Sequence, residues 1–229
     1  MSDNIIPYLE MCQREGASLQ AGMNFGLGRD HSVILMSLRP NAPYQDRIED
    51  GGTTLIYEGH DQPTTPTCPN PKLVDQSERR PSGSLTQNGK FHAAAQGSRT
   101  GKRKPERVRV YEKIRPGIWA DNGLFHLVDS WRENDGRRSV FKFKLIALKE
   151  EQEIRRTPIS INARRRIIPT TIKLAVWKRD GGKCVECGAT DELHFDHDLP
   201  YSKGGTSLTE ANIQLLCARH NLQKRDKIK

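Results

Sequence analysis

Short apolar runs separated by turn residues fill the first 150 positions. They are Ser32-Val33-Ile34-Leu35-Met36, Thr53-Thr54-Leu55-Ile56-Tyr57, Val108-Arg109-Val110-Tyr111, Gly123-Leu124-Phe125-His126-Leu127-Val128 and Val140-Phe141-Lys142-Phe143-Lys144-Leu145. Their β-branched and aromatic content and partial alternation predict strands. Several short strands with polar turns predict a barrel or sandwich. Residues 59–83 break the pattern: they are polar and Pro-rich, with Pro63-Thr64-Thr65-Pro66-Thr67-Cys68-Pro69 at their centre, and read as a long loop. Loops of that length in a compact domain are usually functional or disordered. Residues 98–104 form a basic turn. Farther on, Glu151 and Arg155 stand at helical spacing, and a basic linker is placed at 151–168. A helix then starts at Pro169, runs through Val176, Trp177 and Arg179, and stops at Gly181-Gly182. The chain contains no internal repeat.

Charge adds a partner class. The net charge is +9 and the pI about 9.4. It divides as +4 over residues 1–150 and +5 over 151–229, so both parts can face the same polyanion, of which nucleic acid is the commonest. No apolar run is long enough for a transmembrane helix. Met1-Ser2-Asp3-Asn4 lacks the basic start of a signal peptide, so a cytoplasmic protein without membrane association is expected. In that compartment five cysteines are poor material for disulfides. Cys12 and Cys68 are isolated and read as structural.

The other three cysteines are patterned. Cys184-Val185-Glu186-Cys187 is a CxxC knuckle, and Cys217-Ala218-Arg219-His220 is a CxxH. Together they offer three thiolates and one imidazole to a structural Zn2+ ion. One ion would pin two distant segments of a module whose own core is thin.

Between and after these pairs come Leu193-His194-Phe195-Asp196-His197-Asp198-Leu199-Pro200, Lys203-Gly204-Gly205, Asn212-Ile213-Gln214-Leu215-Leu216 and His220-Asn221-Leu222-Gln223-Lys224. Over residues 169–229 this arrangement resembles the HNH nucleases, whose site is a zinc-stapled ββα-metal fold. The resemblance implies phosphodiester hydrolysis with one catalytic divalent cation, Mg2+ or Mn2+ or a similar ion, held by Asp196 and Asn221. It makes His197 the general base, near neutral pH a suitable proton acceptor, and gives Asn212 the task of orienting it. Lys224 would meet a phosphate. Two positions depart from the usual pattern. His220 stands where a fourth Cys is commoner, and Asn221 stands where the family name has His, so these two residues could exchange roles. His194 has the strand parity of Asp196 and could lie near the cation or support the site from behind.

Residues 20–147 resemble the SRA domain, named for its association with SET and RING proteins. The stretches that carry the likeness are Phe25-Gly26-Leu27-Gly28-Arg29-Asp30, Tyr44-Gln45-Asp46-Arg47, Gly51 with Tyr57-Glu58-Gly59, Leu85-Thr86, Val108-Arg109-Val110, and Asp121-Asn122-Gly123 followed by Trp131. The resemblance implies a curved β-barrel with flanking helices that flips a modified cytosine out of the duplex. Flipping costs a few kcal/mol, and aromatic stacking returns roughly 1–3 kcal/mol per base. By resemblance Tyr44 and Tyr57 would sandwich the base and Asp46 would accept from its N4 amine. Glu49 competes with Asp46 for that role. The family's Tyr-Asp-Gly signature is here Asp121-Asn122-Gly123. Loop 59–83 and turn 99–104 are candidates for probing the grooves.

The whole chain therefore reads as α+β, with an SRA-like domain over 1–150, the linker, and an HNH domain over 169–229. The expected function is a modification-dependent endonuclease of the type IV restriction kind, acting on double-stranded DNA that carries 5-methylcytosine or 5-hydroxymethylcytosine. A homodimer would supply the two sites that a double-strand break requires. The rival readings are an HNH endonuclease that ignores modification and a non-enzymatic reader of modified DNA with a zinc module.

Overall fold

The computed structural model describes residues 3–27, 30–148, 167–199 and 204–224. The class is α+β. The chain begins with β1 (Asp3–Pro7) and α1 (Tyr8–Glu15), then β2 (Met23–Asn24), β3 (Ser32–Met36), β4 (Arg47–Glu49) and β5 (Thr54–Glu58). After α2 (Gln87–Arg99) come three long strands, β6 (Glu106–Arg115), β7 (Ile118–Asn134) and β8 (Ser139–Ala147). The C-terminal segment adds α3 (Thr170–Arg179), β9 (Leu193–His197), β10 (Ile213–Cys217) and α4 (Ala218–Lys224). All five strand expectations fall on β3, β5, β6, β7 and β8. The helix expected from Pro169 is α3, with Pro169 as its N-cap.

β2 to β8 hydrogen-bond in the order β2-β3-β6-β7-β8-β5-β4 and share one core. That core takes Ile34, Leu55, Val110, Phe125, Phe141 and Phe143 from the strands and Phe91, Ala94 and Ala95 from α2. β7 is long enough to serve three partners: β1 along its first residues, β6 along its first half and β8 along its second. Asp121-Asn122-Gly123 lies in it. Gly123 takes φ +78° and donates its N–H to Asp121 Oδ1, opposite a register shift in β6. The motif is thus a bend in the sheet. Arg14 and Arg109 hold its aspartate with N–O distances of 2.9 and 2.5 Å.

β1 joins the two modules. It pairs antiparallel with β7 on one side and with β9 on the other, and β9 pairs with β10. The β9–β10 hairpin is therefore a continuation of the sheet. Adjacent side chains of β1 serve different cores: Ile5 packs with Phe195, Leu215 and Val176, whereas Ile6 packs with Met11, Val33 and Trp119. The linker expected at 151–168 lies outside the described residues up to position 166. Its last two residues are buried and also divide, Ile167 entering the first core and Ile168 the hairpin core.

A buried charge cluster reinforces the junction. Lys173 of α3 and Glu112 of β6 are both fully buried and lie 2.8 Å apart. Lys173 also donates to Asn122 Oδ1 at 2.6 Å, Asn122 Nδ2 donates to Glu112, and the Thr170 hydroxyl donates to Glu112. Removing one partner of such a pair strands the other charge in low dielectric, at a cost of about 3–5 kcal/mol. Lys173→Met should lower unfolding stability by that amount in urea titrations. Adding Glu112→Leu should recover most of the loss. A single variant within about 0.5 kcal/mol of wild type would show that the pair does not bind the modules together.

Candidate functional site

The C-terminal hairpin places its candidate site residues on the less buried positions of β9. In β9, Leu193 and Phe195 are buried in the hairpin core while His194, Asp196 and His197 are partly exposed. The loop that follows is stapled by one side chain. Asn212 Oδ1 accepts from Leu199 N–H at 2.7 Å, and Asn212 Nδ2 donates to Leu199 O and Thr206 O at 3.1 and 2.9 Å. Its own carbonyl accepts from Asp198 N–H. Gly205 is needed here, because a Cβ would stand 1.7 Å from Leu199 O. Folding the loop this way brings buried Ser207 to His197, with Oγ 2.8 Å from Nε2. Asn212 thus bonds the backbone on both sides of this segment, and Ser207 is a contact that no sequence signal marked.

Lys224 departs from expectation. Its side chain is buried, and its ammonium lies 2.5 Å from Asp196 Oδ2 and also donates to His197 O. It braces the strand end from α4 and does not face solvent where a phosphate could reach it. Asn221 lies on the same short helix, partly exposed. Burial depresses the His194 pKa, opposed by Glu192 and Asp196, and its strand neighbours are Asn4 of β1 and Leu216 of β10.

The second cluster is compact. The donor atoms of Cys184, Cys187, Cys217 and His220 all lie within 4.8 Å of one another and could hold a metal ion. Cys187 Sγ and Cys217 Sγ are 3.8 Å apart, and His220 Nδ1 lies 3.4 Å from both Cys184 Sγ and Cys217 Sγ. Thiolates about 2.3 Å from a tetrahedral zinc would be separated by about 3.8 Å. Burial raises the Cys184 pKa, but the Cys217 N–H, His220 and further backbone N–H groups outweigh it and bring the thiol to about 6. His220, not Asn221, faces the cysteines.

The third site is a cavity of about 490 Å³ in the N-terminal module, lined by Tyr44, Asp46, His60, Arg39, Lys113 and Trp119 among others. Its volume falls in the roughly 300–1,000 Å³ range of small-ligand sites. Asp46 is fixed in its wall by two backbone donors, Glu58 N–H at 3.0 Å and Ser37 N–H at 3.3 Å. Burial pushes its carboxyl up to about 7, against those two N–H bonds. Glu49 is instead on β4, ion-paired to Arg47. Tyr57 does not line the cavity. It is buried in the first core, and its hydroxyl reaches Gly22 O, Leu35 O and His60 Nε2. His60 was missed because a lone His after Gly59 carries no pattern; only the fold sets it against Tyr44.

Loop 59–83 is packed down at its start and near its end. Buried Gln76 donates to Gly59 O and Asp61 and accepts from Phe141 N–H, and Arg138 pairs with Asp61 at 2.6 Å. Among the described residues, no helix is long and apolar enough to cross a membrane.

Residues 184–227 match the family model described as HNH endonuclease, in agreement with the resemblance of the C-terminal segment. No curated protein matches the chain significantly. Similar solved structures include the SUVH5 SRA domain in complex with hemi-methylated CG DNA, with 20% identity over 73% of this chain and 92% of that one and a TM-score of 0.45. Another is the SUVH5 SRA domain bound to fully hydroxymethylated CG DNA, with 20% identity over 71% and 89% and a TM-score of 0.41.

Burial of His60 has a measurable consequence. Its pKa is drawn down from 6.5 to about 4, chiefly by desolvation. The folded state then binds fewer protons than the unfolded state between these values, so stability is lost as pH falls from about 6.5 to about 4. The loss is on the order of 3 kcal/mol. His60→Phe keeps an aromatic ring and cannot titrate, so the stability difference between wild type and variant should shift against wild type by that amount over the window. A difference independent of pH would contradict the assignment.

Proposed function

We propose that the protein is a modification-dependent DNA endonuclease. Its N-terminal module is an SRA-like reader of 5-methylcytosine or 5-hydroxymethylcytosine in double-stranded DNA, and its C-terminal module cuts phosphodiester bonds nearby. The observation that carries the nuclease half is that the Asp196-His197 end of β9, the Asn212 staple and the Cys184, Cys187, Cys217 and His220 cluster lie together on the β9–β10 hairpin and the segments that flank it. The domain limits of 1–150 and 169–229 belong to this proposal.

The donor sets suit two kinds of ion. Three thiolates and an imidazole at tetrahedral spacing fit structural zinc. The carboxylate of Asp196 and the amide oxygen of Asn221 are hard donors suited to Mg2+ or Mn2+. Such a cation, when bound, supplies charge neutralisation for phosphate and leaving group. The remaining work falls to side chains. His197, held by Ser207, takes the proton of the attacking water. Asn212 keeps the His197 loop folded, and Lys224 fixes the Asp196 carboxylate and the His197 carbonyl. In the reader, Tyr44 offers a stacking face and Asp46 an acceptor for the exocyclic amine of the flipped base. Arg39 and Lys113 beside the cavity would meet phosphates. A dimer would place two such sites on the two strands.

One observation favours a modification-blind nuclease as the second reading: Tyr57 lies behind His60 and presents no face to the cavity. Cleavage of otherwise identical duplexes carrying cytosine, 5-methylcytosine or 5-hydroxymethylcytosine separates the two. Preferential cutting of a modified duplex is expected, and equal cutting of all three would establish the second reading. His197→Ala should reduce cleavage by about 10²–10⁴-fold with DNA affinity retained; near-normal cutting would remove His197 as the base. Elemental analysis of chelator-washed, folded protein should find one zinc per chain, lost in Cys187→Ser, whereas folded protein without zinc would refute the structural assignment.

A further inference from the structure

Both faces of the Tyr44 ring are covered. Lys72 Nζ lies 4.1 Å from its centroid. On the other side His60 stacks on it, with centroids 4.4 Å apart and planes 10° from parallel. The His60 seat is built by several neighbours. Its N–H donates to Asn88 Oδ1 at 2.9 Å, and Asn88 Nδ2 donates back to its carbonyl at 2.8 Å. Gly22 leaves room for the ring, since a Cβ there would stand 2.0 Å from His60 Cε1. The ring edge meets Tyr57, Nε2 to hydroxyl, at 2.8 Å.

Two cavities meet at this ring. One is the cavity that holds Tyr44 and Asp46. The second, about 770 Å³, is bordered by Met23, Gln62, Thr86 and Gln87 and also reaches His60. Both cavities are bordered by His60, whose main chain is held by Asn88. Departure of the ring strands no buried group, because the Tyr57 hydroxyl keeps Gly22 O and Leu35 O within 3.1 and 3.2 Å. Unpaired buried donors and acceptors are what usually make such openings costly.

We propose that His60 is a resident gate of the base pocket: its imidazole occupies the stacking face of Tyr44 until a flipped base displaces it. The inference rests on the base-reading function proposed above. It replaces the two-tyrosine sandwich with a competition, in which a base enters only if its stacking on Tyr44 and its contacts in the cavity exceed those of the imidazole. A 5-substituent adds contact area to the base and nothing to the gate, so it shifts the balance toward the open form. A ligand moves such an equilibrium only by its differential affinity for the two states.

The test uses the full chain with 13C-labelled histidine and two duplexes that differ only by one 5-methylcytosine. In free protein the His60 Cε1 proton should resonate upfield, under the ring current of Tyr44. Saturation with the methylated duplex should move it to an unstacked position, and the plain duplex should leave it in place. His60→Ala, with its zinc content and thermal transition checked first, should bind the methylated duplex about two- to ten-fold more tightly, the equivalent of one aromatic pair. If wild type prefers the methylated duplex but the His60 proton stays upfield in the saturated complex, the gate is wrong and the base reading stands. Unchanged or weaker binding by folded His60→Ala also overturns the gate. If wild type does not distinguish the duplexes, the base reading fails and the gate falls with it.

Discussion

The rest of the structure depends on β1 being hydrogen-bonded along both edges. Four of its residues register with β7 and two with β9, so five residues at the start of the chain convert two modules into one sheet. Pairing on both sides shields much of the strand's backbone from water and from other chains. Its side chains cannot choose one module either, since the pleat sends Ile5 and Ile6 to opposite faces. The buried Lys173 and Glu112 act at the same junction and add specificity of another kind. A buried ion pair contributes little net stability, but it tolerates only one relative placement of its partners. In the proposed function, where one module reads and the other cuts, this construction sets the distance between the two sites.

Both sites use the same device for rigidity. A single amide side chain satisfies backbone groups that lie outside the sheet. Asn212 does this for the loop after His197, and Asn88 and Gln76 do it for the chain around His60 and Gly59. Buried backbone groups must be paired. An Asn or Gln side chain supplies a donor and an acceptor together, so one residue can replace a missing strand. Glycine completes the arrangement where it lets chains approach, at Gly205 against Leu199 and at Gly22 against His60.

The metal-ligand pairs were legible because their chemistry is local. A CxxC and a CxxH each close a tight turn, and spacing alone brings each pair of donors together. The strands β3, β5, β6, β7 and β8 were legible for a similar reason, since β-branched and aromatic runs report on the next few residues. α2 was not, because Gln87-Asn88-Gly89-Lys90 is a poor helical start by propensity. Its helix is set by the Thr86 cap and by burial of Phe91, Ala94 and Ala95 against the sheet. The resemblance gave Lys224 a phosphate to meet, whereas the packing of α4 on β9 buries it and turns it toward Asp196.

The sequence by itself determined strands β3, β5, β6, β7 and β8, helix α3, the Cys184, Cys187, Cys217 and His220 donor set that could hold a metal ion, the Asp196-His197 end of β9, and the basic character of both halves. These features rest on residue type and on spacing within a few positions. Tertiary structure decided the rest: that β1 stands between β7 and β9, that His60 covers Tyr44 while Tyr57 retreats into the core, and that Ser207 and Lys224 brace His197 and Asp196. Each of these is a contact between residues remote in sequence or separated by irregular chain. Its free energy depends on which surfaces remain to be buried once the sheet has formed, and no local pattern encodes that remainder.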